Sequence, residues 1–174
     1  MQPSQLPRHF STCLLGLSLG LTVPSQAATS DEPRPLFVEG YAGRVSYAPG
    51  EELTLHVSSS AAGFSVEIIR LGAKPESVWK AASVESREYD VPEDASSLGC
   101  RWPAAVKLKL PAEWRSGYYH VALRVRDGGG KFTQRNTRTA EGSCYFVLRP
   151  IELGKTSKIL LQLSTHTYNA YNNW

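Results

Sequence analysis

The chain has 174 residues, 41% of them hydrophobic and 20% charged, with a formal net charge of +3. This is ordinary globular material, which excludes a disordered or fibrous chain. The small positive surplus, with no cluster of Lys and Arg interleaved with aromatics, gives no footprint for a nucleic acid.

Residues 1–27 read as an export signal. Arg8 supplies the positive start, Cys13 to Val23 is a short apolar core, and Pro24 breaks it before the small residues Ser25-Gln26-Ala27. The expected cleavage follows Ala27. The core is shorter than the roughly 20 apolar residues of a transmembrane helix, and no second apolar segment of that length follows. Phe10-Ser11-Thr12 is a poor lipobox, so Cys13 is not read as a lipid anchor. The mature chain is therefore expected to be exported, periplasmic or extracellular, with no membrane span. Removing Cys13 leaves Cys100 and Cys144, an even pair in an oxidising compartment. The default reading is a disulfide closing a loop of about 45 residues, worth roughly 2–4 kcal/mol. The alternative is two unrelated buried thiols. Two cysteines without nearby histidines give no zinc spacing.

Residues 28–35 are a polar, proline-bearing lead-in. From 36 to 150 the pattern is all-β. Phe37 to Tyr41 and Arg44 to Tyr47 read as one first strand with a glycine kink. Ala48-Pro49-Gly50-Glu51 is a turn, and Glu52 to Ser58 alternates apolar and polar residues strictly. Phe64 to Arg70 alternates again. Ser77 to Val84 is a weaker edge strand, and 85–98 is acidic and loop-like. Ala105 to Pro111 is a strand with outward lysines, Tyr118 to Arg126 another, 127–143 a long hairpin connection, and Cys144 to Arg149 the closing strand. About seven short strands without a helical period predict an immunoglobulin-like β-sandwich, with a small barrel as the alternative architecture. Pro111 to Tyr119 has the form of the corner before the penultimate strand, where a tyrosine hydroxyl ties back to the backbone. Arg124, Arg126, Lys131, Arg135 and Arg138 read as a solvated hairpin face.

The sandwich carries no catalytic constellation. His56 and His120 lie on strands without carboxylate or cysteine partners in local spacing. Trp79, Trp102 and Trp114 would be the platform of a carbohydrate-binding face, yet each has a packing explanation. No strand–elbow nucleophile, phosphate-cradling loop or His-Glu-x-x-His pair occurs. Residues 151–174 differ. A Gly-marked linker leads to Ser157 to Leu163, read as a buried strand, and then to Ser164-Thr165-His166-Thr167-Tyr168-Asn169-Ala170-Tyr171-Asn172-Asn173-Trp174. Strands of open α/β sheets deliver ligands at their carboxyl ends. Phenolate oxygen suits a hard ion, and Tyr168 and Tyr171 stand three residues apart; the competing reading packs these aromatics against a sheet. A parallel strand needs neighbours and a crossover helix, and none follow. The chain is thus expected to be a fragment, stopping as its chemistry begins.

The ordered set Phe37 to Tyr41, Ala48 to Glu51, Leu55 to Ser58, Phe64 to Gly72, Gly99-Cys100-Arg101-Trp102-Pro103, Leu110 to Tyr119 and Thr167 to Trp174 resembles the large (beta) subunit of N,N-dimethylformamidase and its relatives. The resemblance implies a sandwich ahead of an α/β domain like that of glutamine amidotransferases. It implies hydrolysis of a small amide at an iron held by two tyrosines and a glutamate. Tyr171 is the implied first ligand here and Tyr168 the second; relatives with Trp at the latter position rank it lower. The chain would then be the N-terminal part of an exported member, its residues 151–174 beginning a truncated catalytic domain whose remainder is its partner. Such a fragment is expected to be inactive and to bind no iron tightly by itself. The alternative is an exported, non-enzymatic sandwich that binds glycan or protein. A periplasmic assembly chaperone is weaker still, lacking a basic cleft or a long exposed edge for a partner strand.

Overall fold

The computed structural model describes residues 34–127, 137–155, 158–165 and 167. Eight strands and one short helix run in the order β1 (Val38–Ala42), β2 (Ser46–Tyr47), β3 (Glu52–Ser59), β4 (Gly63–Leu71), β5 (Glu76–Glu85), α1 (Ala95–Leu98), β6 (Ala104–Lys109), β7 (Gly117–Asp127) and β8 (Arg138–Leu148). They form two sheets, β1-β3-β6 and β2-β8-β7-β4-β5. All pairings are antiparallel except β2 with β8. This is the expected all-β sandwich.

Period-two burial builds the core. Leu53, Leu55 and Val57 of β3 face Phe64, Val66 and Ile68 of β4, Tyr119, Val121, Leu123 and Val125 of β7, and Phe146 and Leu148 of β8. Lys107 and Lys109 of β6 point to solvent, as their alternation requires. The weak Ser77–Val84 stretch is indeed an edge, because β5 pairs only with β4.

Three expectations are corrected. The first strand is two: β1 pairs with β3, whereas β2 crosses to the other sheet and runs parallel to β8. The switch occurs at 43–45, where the Gly43 amide still bonds to Thr54 (2.9 Å) and Val45 already accepts from Val147 (2.8 Å). The connection placed at 127–143 is shorter, because β7 and β8 stay in register out to Asp127 opposite Arg138. Polar alternation with a glycine hides this outer half of β8. Finally, Cys100 and Cys144 are free thiols. Cys144 packs against the sandwich interior and Cys100 joins a separate cluster with Ala95 and Trp102. That cluster covers the outer face of the three-stranded sheet, so the sheet itself stands between the sulfurs.

Burial pushes the Cys144 thiol up to about 12 and raises Cys100 as well, so neither is a ready thiolate. Denatured without reductant in the presence of iodoacetamide, both cysteines are expected to be alkylated. A mass spectrum showing neither adduct would mean a bridge.

The outer face of the five-stranded sheet carries a charge network centred on Glu67. Lys80 lies 3.0 Å and Arg124 3.1 Å from its two oxygens, and Arg124 reaches Glu141 at 2.9 Å. Arg138 donates to the Arg34 carbonyl (2.7 Å). Arg124 is thus neutralised by two carboxylates, and Lys131 and Arg135 lie outside the described residues. A hydrogen bond from Ser77, then those from Lys80 and Arg124, hold the Glu67 carboxyl at about 2, below the usual 4.5. A carboxyl depressed on folding adds stability above its unfolded value and loses it as pH falls through the folded one. Stability is therefore expected to fall between pH 4.5 and about 2, and Glu67→Gln to flatten that fall in urea melts taken at each pH.

Candidate functional site

Two places gather polar and aromatic side chains. The first is the cluster over the three-stranded sheet. Tyr41 and His56, cross-strand partners on β1 and β3, stack at 4.9 Å with an interplanar angle of 8°. His56 Nδ1 is 2.6 Å from the Trp102 carbonyl, the Trp102 amide donates to the Tyr41 hydroxyl (3.1 Å), and its indole donates to the Asp90 carbonyl (2.9 Å). Trp102 is 4% exposed. Burial raises the Tyr41 hydroxyl above the usual tyrosine value. These contacts fasten the long β5–β6 connection to the sheet. Arg101, in the left-handed region at φ 56°, is held there by a two-point pair with Asp94 (2.6 and 3.1 Å). His56 therefore has a structural role, and Trp102 offers no surface to a sugar.

The second place is the end of the sandwich from which the chain leaves β8. Tyr119, fully buried, donates to the Arg115 carbonyl at 2.5 Å, stacks on Trp114 (5.4 Å) and packs against Phe146 (5.1 Å). The corner read from the sequence is present, and it consumes the face of Trp114. Burial raises the Tyr119 hydroxyl, opposed by the nearby Arg70 guanidinium. Trp79 is half-buried against the core, so none of the three tryptophans forms an open platform. His120, half-buried, lies in register with Ile69 and Tyr145.

Beyond Pro150 the described residues carry exposed apolar side chains: Ile151 (78%), Leu153 (82%), Ile159 (87%), Leu160 (92%) and Leu161 (63%). A concavity of about 590 Å³ lies between Gly117 and Val147 on the sandwich and Leu153, Ile159 and Leu161 on this segment. Among the described residues the expected buried strand does not appear: 158–163 carries no strand and is mostly exposed. His166, Tyr168 and Tyr171 lie outside the described residues. Among the described residues no group of three or more His, Cys, Asp or Glu could hold a metal ion. No described helix is long and apolar enough to cross a membrane.

Sequence reasoning passed over Arg70, although a signal was available. Phe64, Val66 and Ile68 set the inward phase of β4, and Arg70 continues it, so a cation falls on the core side of the strand. Gly142, which pairs with Leu123 in the ladder, likewise falls inside the 127–143 stretch that reads as a loop.

The family model described as N,N-dimethylformamidase beta subunit-like, C-terminal, matches residues 65–174, well over half of the chain. The chain belongs to this family. The match opens inside β4, covers β5 to β8, and runs through the tyrosine-bearing end. The dimethylformamidase-like model is one of a C-terminal region, whereas the sequence reading placed these residues in the N-terminal part of the subunit. No curated protein matches the chain.

Proposed function

We propose that the chain contributes to an exported, iron-dependent amide hydrolase of the dimethylformamidase type, with the sandwich as scaffold and the Thr167–Trp174 stretch as its link to the metal. The observation that carries this reading is the continuity of the family match across both β5–β8 and Tyr168 and Tyr171. The bare apolar run Ile159-Leu160-Leu161 agrees with it, since such a run needs a covering body. We take that body to be the α/β catalytic domain. In this reading residues 1–27 are removed on export.

Among the described residues no three His, Cys, Asp or Glu side chains gather, and one or two phenols would not complete a donor set. In this reading the catalytic domain supplies the further ligands, so no reaction step is assigned to the described residues. Given excess ferric iron and a panel of small N-alkyl formamides and acetamides, the chain is expected to release no amine. A weak visible phenolate–iron absorption is the expected trace of its partial site. Turnover at stoichiometric iron would contradict the proposal that the donor set is incomplete, and no absorption at any iron excess would remove the tyrosines as ligands.

A further inference from the structure

The concavity of about 590 Å³ at the exit end is walled by Val147, Pro150, Leu153 and Leu161 and rimmed by Arg149 and Lys158. That volume is within the range of small-molecule sites, roughly 300–1,000 Å³. Two features of its lining select a ligand. Among the described residues it holds no aromatic ring, so the wall offers aliphatic contact and nothing for a flat ring to stack on. It holds no carboxylate either, and its charged groups are both cations.

These cations are not balanced. Arg149 reaches Glu51 at 3.5 Å, but the same carboxylate also holds Arg44 (3.2 Å) and accepts from the Ala48 amide (2.7 Å). One negative charge thus serves two guanidiniums. Lys155, outside the lining, is matched by Glu152 (2.7 Å), whereas no described carboxylate comes within ion-pair reach of Lys158. The Arg149 amide donates to the Tyr47 carbonyl (2.9 Å), which roots that side chain on the sandwich. An aliphatic trough with surplus positive charge at its rim is complementary to an alkyl chain that carries an anionic head.

We propose that this trough binds a free medium-chain alkyl carboxylate, its chain against Val147 and Leu153 and its head between Arg149 and Lys158. Buried methylenes supply the affinity, and the cations fix the orientation. The proposal uses no residue beyond 163 and its test contains no iron, so its failure is separable from a failure of the hydrolase reading.

The test uses the full chain and octanoate far below its micelle concentration, with octanamide as the neutral isostere, read at the backbone amide resonances of Gly117, Val147 and Leu161. Octanoate is expected to move all three saturably and to bind about tenfold more tightly than octanamide. Lys158→Gln is expected to weaken octanoate about fivefold and to leave octanamide unchanged. Leu153 is 82% exposed, so Leu153→Glu keeps the fold while setting a charge against the chain, and it is expected to weaken octanoate at least about tenfold. Equal binding of the two probes, no saturable shift at Gly117 and Val147, or unchanged octanoate affinity in either variant would each overturn the proposal. Binding to vesicles of anionic phospholipid without binding of free octanoate would do the same, since the patch would then be a lipid-surface contact. Should a variant fail to fold, the wild-type comparison of the two probes still decides.

Discussion

Trp102→Ala is expected to destabilise the protein by about 3–5 kcal/mol, the range for deleting a buried large aromatic. The indole fills the space between the outer face of the three-stranded sheet and the β5–β6 connection, with Ala95 and Cys100 buried beside it and Tyr41 and Tyr89 against it. Its removal also ends the hydrogen bond to the Asp90 carbonyl. The backbone contacts to Tyr41 and His56 do not need the side chain, yet they lose the packing that fixes them. Two readouts separate this from a general loss of core. The urea midpoint should fall, and Cys100 should become alkylatable under native conditions while Cys144 stays protected. Equal exposure of both thiols would mean that the cluster is not an independent unit.

Gly142→Ala is expected to be nearly as damaging for an opposite reason. A Cβ at residue 142 would lie 2.0 Å from the Val38 carbonyl oxygen and 3.0 Å from its carbon, both backbone atoms that cannot rotate away. β1 and β8 belong to different sheets, and this is where their backbones touch. The added methyl would force β1 away from β8, at a cost of about 3 kcal/mol or more. Protection of the amides of β1 against hydrogen exchange should drop selectively, with β4 and β7 little changed. An unaltered urea midpoint would show that β1 does not sit against residue 142.

Much of the fold was legible because this sandwich announces itself by parity. Leu53-Thr54-Leu55-His56-Val57 and Phe64-Ser65-Val66-Glu67-Ile68 each commit one face to the interior, and no other period fits them. The Tyr119 corner was legible for a related reason, since the tyrosine hydroxyl finds its acceptor only four residues upstream. What parity does not encode is which sheet a strand joins. The hydrophobic pattern of Phe37 to Tyr47 is continuous, so the switch at 43–45 depends on contacts with β3 and β8, far along the chain. The cysteine pair is a similar case: compartment and an even count say nothing of the sheet that separates two sulfurs. Arg70 could have been seen, because a charge in the apolar phase of a strand needs a reason. The tail was read from residue chemistry alone, and its phenols lie outside the described residues.

The most direct measurement is the visible spectrum of the ferric-loaded chain compared with its Tyr171→Phe and Tyr168→Phe variants. The account predicts that Tyr171→Phe abolishes the phenolate–iron absorption, that Tyr168→Phe weakens it, and that the thermal melting of the sandwich is the same in all three. An absorption that survives in both variants together, or a sandwich that unfolds when either phenol loses its oxygen, would contradict it.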